Sequence, residues 1–359
     1  MAYPRLVGLL ACLPLLAIAA EPRLDQALEL QKRQEQERLQ RRIETAPALP
    51  PTPEAAPATT AVDASTCVQV SRIETSGITL LPAATIETAL APHTGKCLDA
   101  AGINRVLEAL NNAYLQEGYV TARAYLPEQQ VRDGVLALVV IEGRIEAISL
   151  NGDVRSADRR RRWLAMPAAA GDMLRLPDIE QGVDQLNRAP SAQATLALEP
   201  GSEPGMTRVV VSTADDRSWR AGLSLDNNGE KATGQYKTTA TLDKDNFLEA
   251  NDVWQLALSH TEDTRAFSAS TTLPARYWTL TSSYSQSRYT NQLTGGTRLS
   301  GDSQSLLLSA DYLFLRNAHH QLSLVMGLTD KESGRKVAGV SLQPDESTPA
   351  RLGLRWLYR

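Results

Sequence analysis

The stretch Gly118-Tyr119-Val120-Thr121-Ala122-Arg123-Ala124-Tyr125-Leu126-Pro127-Glu128-Gln129-Gln130, followed by Gly134-Val135-Leu136-Ala137-Leu138-Val139-Val140-Ile141-Glu142-Gly143, decides how this chain is read. Its alternation, proline break and β-branched second run predict a strand, a turn and a second strand. Just upstream, Ile103, Val106, Leu107, Leu110, Ala113 and Tyr114 recur at helical spacing, so residues 98–117 predict an amphipathic helix. Gly118 stands where a helix end favours positive φ.

Working outward, Val68, Val70 and Ile73 predict a strand, and residues 82–90 a short helix. The order strand, helix, helix, strand, strand then recurs. A strand over 145–150 stops at Asn151-Gly152, a turn signal. A helix over 156–166 is expected, capped by Ser156 or Asp158. A second helix over 178–188 carries Ile179, Val183 and Leu186 on one face. Strands over 194–198 and 206–212 complete the copy. The repeat is one of topology, without obvious sequence identity.

From about residue 215 a period of two takes over. Trp219, Ala221, Leu223 and Leu225 alternate with polar or small residues, as do Trp254, Leu256 and Leu258, and Phe267, Ala269, Thr271 and Leu273. Leu306, Leu308, Ala310, Tyr312 and Phe314 form another set, then Leu322, Leu324, Met326 and Leu328, and last Leu352, Leu354, Trp356 and Tyr358. Strands of about 9–11 residues with one apolar face mark an outer-membrane barrel, because lipid meets one face and water the other. A soluble antiparallel sandwich uses the same alternation. Trp254, Tyr277, Trp278, Tyr289 and Tyr312 are the expected interfacial aromatics.

The start of the chain agrees with export. Arg5, the apolar run 6–18 and Ala17-Ile18-Ala19 predict a signal peptide over 1–20, cleaved near Ala19 or Ala20. A lipoprotein reading around Cys12 suffers from the short apolar run before it. Residues 21–45 read as a polar helix with a sparse stripe of Leu24, Leu28, Leu30, Leu39 and Ile43. Residues 46–66, with Pro47, Pro50, Pro51, Pro53 and Pro57, read as a semi-rigid linker. No other run is apolar enough for a membrane helix, so a barrel is the remaining way to span a bilayer. In an oxidising compartment the mature cysteines, Cys67 and Cys97, are expected to form a disulfide worth about 3–4 kcal/mol, tying the first strand to the start of the second helix.

These residues resemble the hemolysin secretion/activation family (ShlB/FhaC/HecB type), the TpsB transporters of two-partner secretion. The resemblance rests on residues 118–129 and 134–143, on Leu176-Pro177-Asp178-Ile179-Glu180-Gln181-Gly182 with Gln185-Leu186-Asn187-Arg188, on Pro200-Gly201, and on Asp226-Asn227, Thr233-Gly234 and Asp245-Asn246-Phe247-Leu248. It implies an α+β pair of tandem POTRA domains (β-α-α-β-β) over 67–143 and 144–214. An antiparallel transmembrane β-barrel, present in part, would follow over 215–359. It further implies that the helix over 21–45 plugs the pore. The localisation implied is the bacterial outer membrane, with periplasmic POTRA domains. Family barrels need about twice the eight or nine strands visible here. The expectation is therefore a truncation, with the family's inward-folded loop and terminal strand lying beyond Arg359. A closed barrel of about eight strands is filled by its own side chains and could not conduct a chain.

No catalytic constellation is visible. His93, His260, His319 and His320 lack metal-ligand spacing, and no phosphate-binding glycine loop or nucleophile elbow occurs. No enzyme activity, cofactor or metal is expected. The net charge of −4 gives no basic field for nucleic acid. The expected partners are an unfolded secreted TpsA-type exoprotein (a hemolysin, an adhesin or a contact-dependent toxin) and outer-membrane lipid, with the chain a monomer. Strand addition would capture the exoprotein along an edge formed by Tyr119, Val120, Thr121, Ala122, Arg123, Ala124 and Tyr125. The run Arg159-Arg160-Arg161-Arg162 is expected on a solvated helix face. The rival readings are an Omp85-type assembly factor and a non-conducting periplasmic scaffold or inactive gene fragment.

Overall fold

The computed structural model describes residues 67–358 except positions 132, 294 and 295. The expected leader with its cleavage near Ala19 and Ala20, the polar helix over 21–45 and the linker over 46–66 lie outside the described residues.

The first unit runs β1 (Val68–Val70), β2 (Arg72–Ser76), α1 (Ala83–Leu90), β3 (Lys96–Leu98), α2 (Ala100–Gln116), β4 (Arg123–Tyr125) and β5 (Val135–Ile141). β5 lies between β2, its parallel neighbour, and β4, its antiparallel one. The helical spacing does what it predicts: Val106, Leu110 and Tyr114 are buried in one core with Leu136, Leu138 and Val140. Asp99 caps α2, its Oδ1 accepting the Gly102 N–H at 2.7 Å.

The single strand expected around Val68–Val70 and Ile73 is split. The Ser71 and Arg72 N–H groups donate to the Gly134 carbonyl at 2.8 and 3.1 Å, and the chain changes partners there. β1 pairs with β3, a strand too short for alternation to reveal, placing Gln69 opposite Cys97. Cys67 and Cys97 are bonded across this ribbon, their Cα atoms 5.4 Å apart, so the disulfide clips two strands rather than a strand to a helix start.

Glu142 locks the loop ahead of α1. Its carboxylate accepts the Thr79 N–H at 2.7 Å, the Leu80 N–H at 2.9 Å and the Tyr114 hydroxyl at 2.8 Å. Burial pushes this carboxyl up, but the hydrogen bonds from Thr79, Tyr114 and Leu80 outweigh it and hold it below the usual range. A lowered folded pKa contributes stability above the unfolded pKa of about 4.3, lost as pH falls through the lower folded value. Glu142→Gln should therefore lose about 1–2 kcal/mol of local stability at neutral pH. Amide exchange of β5 between pH 3 and 7 should then show a flatter acid dependence than in the parent.

The second unit runs β6 (Arg144–Leu150), α3 (Ser156–Ala165), α4 (Leu176–Leu186), β7 (Ala192–Pro200) and β8 (Met206–Asp215), with sheet order β6-β8-β7. Ile145, Ile148 and Leu150 pack with Ile179, Leu186, Val209 and Val211. Neither expected residue caps α3. Arg155 occupies the cap position without a side-chain bond, and its guanidinium binds Asp158 at 2.9 and 2.8 Å. That pairing diverts Asp158 from the backbone and, first through the Arg155 hydrogen bonds, holds its carboxyl below the ordinary value.

The remaining strands form one antiparallel sheet. They are β9 (Trp219–Asp226), β10 (Lys237–Asp245), β11 (Val253–His260), β12 (Thr264–Ala275), β13 (Trp278–Gln292), β14 (Arg298–Arg316) and β15 (His320–Val337), with β16 (Val340–Ser341), β17 (Asp345–Ser347) and β18 (Ala350–Tyr358) all pairing with β15. Among the described residues the sheet thus has ten strands, and β16 and β17 are too short to show as alternation. Among the described residues it is an open path, since β9 and β18 do not pair with each other.

Candidate functional site

The long sheet sorts its side chains by chemistry. Cross-strand partners share a face, so the register defines each face row by row. One row reads Leu223, Ala240, Leu258, Phe267 and Gln286. Another reads Ala221, Leu242, Leu256, Ala269, Tyr284 and Leu306. On the opposite face a row reads Thr241, Ala257, Ser268, Ser285, Ser305 and Lys331. Its neighbour reads Thr239, Ser259, Ala266, Ser287, Ser303 and Ser333. The first face leaves large apolar groups bare, with Leu223 79% and Leu352 74% exposed. In water that would be an aggregating surface; in lipid it is the ordinary outer wall of a barrel.

Aromatics gather on the apolar face near one end. Trp219 and Trp254 both flank Lys244 through its register, and Trp278 stacks on Tyr312 at 4.6 Å. Two of the five expected interfacial aromatics are elsewhere. Tyr277 sits in the β12–β13 turn and donates to Asp178 Oδ1 at 2.7 Å, while Tyr289 lies on the hydroxyl face opposite Gly301. Along the regular β13 strand Tyr289 is an odd number of residues from Trp278, so it lies on the opposite face.

The stretch Tyr119, Val120, Thr121, Ala122, Arg123, Ala124 and Tyr125 is not one edge strand. Only Arg123, Ala124 and Tyr125 form β4. Tyr119 packs on the first core, whereas Val120 belongs to the joint between the units: it packs on the second core, and the Gly118 carbonyl accepts the Leu176 N–H at 2.8 Å. Gly118 itself has φ +87°, and a Cβ there would come within 2.7 Å of Pro177. Thr121 is pressed against Gly143, where any Cβ would collide with its side chain. Ala122 and Ala124 are buried. Arg123 bends back to the Val120 and Ala122 carbonyls at 3.0 and 2.8 Å. The Ala124 N–H is already bound to Asn111 Oδ1 at 2.8 Å. β4 is an edge, but a short and capped one.

The second unit uses the same device less completely. Asn187 Oδ1 accepts the Ala194 N–H at 2.7 Å, so that group points away from β8. By antiparallel alternation Leu196 and Leu198 also turn their N–H groups outward. Among the described residues no strand pairs with that side of β7. β7 therefore offers the longer open edge.

The arginine run is a solvated face only in part, since Arg159 and Arg160 are exposed but Arg161 is not. Arg161 is 2% exposed and its Nε donates to Asn251 Oδ1 at 2.9 Å, while Asn251 Nδ2 returns a bond to the Arg161 carbonyl at 3.0 Å. Arg160 donates to the Leu248 carbonyl at 3.1 Å. These contacts seat α3 on the β10–β11 turn. α4 seats on the next turns. Gln185 Nε2 donates to the Arg276 and Trp278 carbonyls at 2.6 and 2.9 Å, and Arg316, at the end of β14, binds Asp184 at 2.6 Å, Gln181 at 3.1 Å and Glu180 at 3.2 Å. Asp245 joins the units again, accepting Arg220 at 2.6 and 2.8 Å and the Ser191 N–H at 2.9 Å. Three hairpin turns at one end of the sheet are thus bolted to the second unit.

No group of three metal-ligating side chains occurs among the described residues. His319 and His320 take part in an aromatic cluster instead, with His320 Nδ1 accepting the Trp356 indole N–H at 3.1 Å. No helix among the described residues is long and apolar enough to cross a membrane.

The model of the haemolysin secretion/activation protein family ShlB/FhaC/HecB matches residues 205–359, a ShlB-type POTRA model matches 68–143, and a further POTRA model matches 144–200. The chain is 34% identical over 271 residues to the outer membrane transporter CdiB of Dickeya dadantii (strain 3937), covering 73% of this chain and 48% of the relative. The chain belongs to the haemolysin secretion/activation family. To CdiB of Escherichia coli O6:K15:H31 it is 32% identical over 345 residues, covering 90% of this chain and 57% of that protein. The solved structure of CdiB from Escherichia coli superposes with a TM-score of 0.82 at 28% identity, covering 93% of this chain and 64% of the other. The chain spans about half the length of the curated relatives it matches. As a member of this family it resides in the outer membrane with its POTRA units in the periplasm. The bolted turns therefore mark the periplasmic end of the sheet, and the opposite turns its outer end.

Proposed function

We propose that this protein is an outer-membrane transporter of two-partner secretion, acting as a monomer, that captures an unfolded TpsA-type exoprotein and passes it along the hydroxyl face of its sheet. The separation of a leucine and aromatic face from a serine and threonine face carries this reading. Small neutral hydroxyls can exchange hydrogen bonds with a passing backbone and offer neither an apolar surface nor a dense charge to hold it. The bolts at Arg161, Arg316 and Asp245 fix the second POTRA unit beside the entry to that face. Capture uses strand addition, in which backbone groups bind without regard to sequence. The open stretch of β7 around Leu196 and Leu198 suits this better than β4, whose outward Ala124 N–H is occupied.

Reduced and carboxymethylated α-lactalbumin, a soluble unfolded chain, is a suitable probe. The detergent-purified protein should bind it and ignore native α-lactalbumin, with amide protection appearing at Leu196 and Leu198. Leu198→Pro removes one outward donor and should weaken binding about tenfold, the worth of one well-placed hydrogen bond. Equal binding by the variant would remove β7 from the capture role, and no binding of the unfolded probe would contradict capture by strand addition.

A further inference from the structure

The outward face carries a feature that conduction does not use. At the upper limit of the apolar belt the register places Thr238, His260, Arg265 and Arg288 in one row. Arg265 and Arg288 are direct cross-strand partners, both exposed. Like charges in that relation destabilise a sheet unless something lies between them. Among the described residues neither guanidinium forms a salt bridge or side-chain hydrogen bond; Asp302, next in the row beyond Arg288, pairs with neither. Directly beneath lies a hollow of about 580 Å³ with a mainly apolar floor of Ala240, Leu258 and Phe267, closed on one side by Gln286, and with His260, Arg265 and Arg288 at its rim.

We propose that this hollow binds a phosphorylated glycolipid of the outer leaflet, the lipid A part of lipopolysaccharide, with a phosphate between Arg265 and Arg288 and an acyl chain over Leu258 and Phe267. Two guanidiniums on one side of a phosphate give charge-assisted, bidentate recognition and remove the repulsion between them. The apolar floor below them matches the order of groups in such a lipid, headgroup outward and chains inward. The row lies at the end of the sheet opposite the POTRA bolts, where the outer leaflet's phosphate-bearing lipid is this one. The site rests on the reading of the Leu258 face as facing lipid.

The test uses the full chain purified from outer membranes in mild detergent, with bound lipid measured by native mass spectrometry. Separate arms add lipid A, phosphatidylglycerol or inorganic phosphate. Lipid A should be retained by the parent and lost at least tenfold in the double variant Arg265→Gln/Arg288→Gln, with little retention of phosphatidylglycerol and no competition by millimolar phosphate alone. Equal retention of lipid A by the variant overturns the proposal, as does equal retention of both lipids by the parent. Heat-modifiable migration of the same samples separates the two layers of inference. A variant that stays heat-modifiable and keeps lipid A refutes the site alone, whereas a parent that is not heat-modifiable and binds no lipid refutes the lipid-facing sheet.

Discussion

Asp245→Ala should lower the stability of the protein in detergent by about 2–4 kcal/mol, the sum of a buried amide left without an acceptor and a charge-assisted pair lost to a guanidinium that is about a third exposed. The Asp245 side chain is fully buried, and its two oxygens satisfy both arms of the Arg220 guanidinium and the Ser191 N–H. Alanine leaves a buried amide without a partner and a guanidinium with only the longer 3.7 Å contact to Asp243. The damage should be local in a recognisable way, because Ser191 leads into β7 and Arg220 lies on β9. Amide exchange should rise at both, and less in the first POTRA unit. Asp245→Asn, which can still accept from Ser191, should lose about half as much. Urea titration followed by tryptophan fluorescence measures the difference, and an alanine variant within about 0.5 kcal/mol of the parent would show that the bolt carries no load.

Leu308→Arg should cost about 2–4 kcal/mol of folding free energy in lipid vesicles, the penalty for a cation near mid-bilayer on an outward strand face. Leu308 lies on the apolar face between Ser282 and Leu328, and is 49% exposed. Its chain neighbour Ser309 lies on the other face, between Thr281 and Gly327. Ser309→Arg should cost no more than about 1 kcal/mol, because it points to water. Adjacent positions differing this much separate a barrel wall from a sheet wetted on both sides. Urea-dependent folding into vesicles, read by heat-modifiable migration, gives both numbers.

The sequence carried the repeated unit and the alternating sheet because both rest on periodic burial. Val106, Leu110 and Tyr114 at helical spacing could face only one way, and Leu306, Leu308 and Ala310 could share only one face. Other features depend on tertiary partners that leave no local trace. The split at Ser71 follows from Gly134, more than sixty residues away, whose carbonyl takes two N–H groups. The four arginines of α3 look alike in sequence, yet Arg161 is buried against Asn251 while its neighbours reach Leu248 and Asp153. Arg316 is a lone arginine at a strand end, and no sequence signal marks it as the centre of three hydrogen bonds to α4. The seven-residue edge predicted from Tyr119 to Tyr125 failed because alternation cannot distinguish a strand from a turn that packs on a neighbouring domain. The stretches 176–182, 185–188 and 245–248, read as family resemblance, supply part of the POTRA–sheet junction.

The most direct test follows side-chain environment residue by residue along β13. Single nitroxide labels are placed from Thr279 to Ser285 in the full chain folded into vesicles, and collision rates are measured with oxygen, which concentrates in hydrocarbon, and with a nickel chelate confined to water. Oxygen maxima at Leu280, Ser282 and Tyr284, alternating with nickel maxima at Thr281 and Ser285, are the result expected for one face in lipid and the other in water; the buried Thr279 and Ser283 should be low in both. Nickel collisions high at every position, with no oxygen maximum on the even residues, would contradict it.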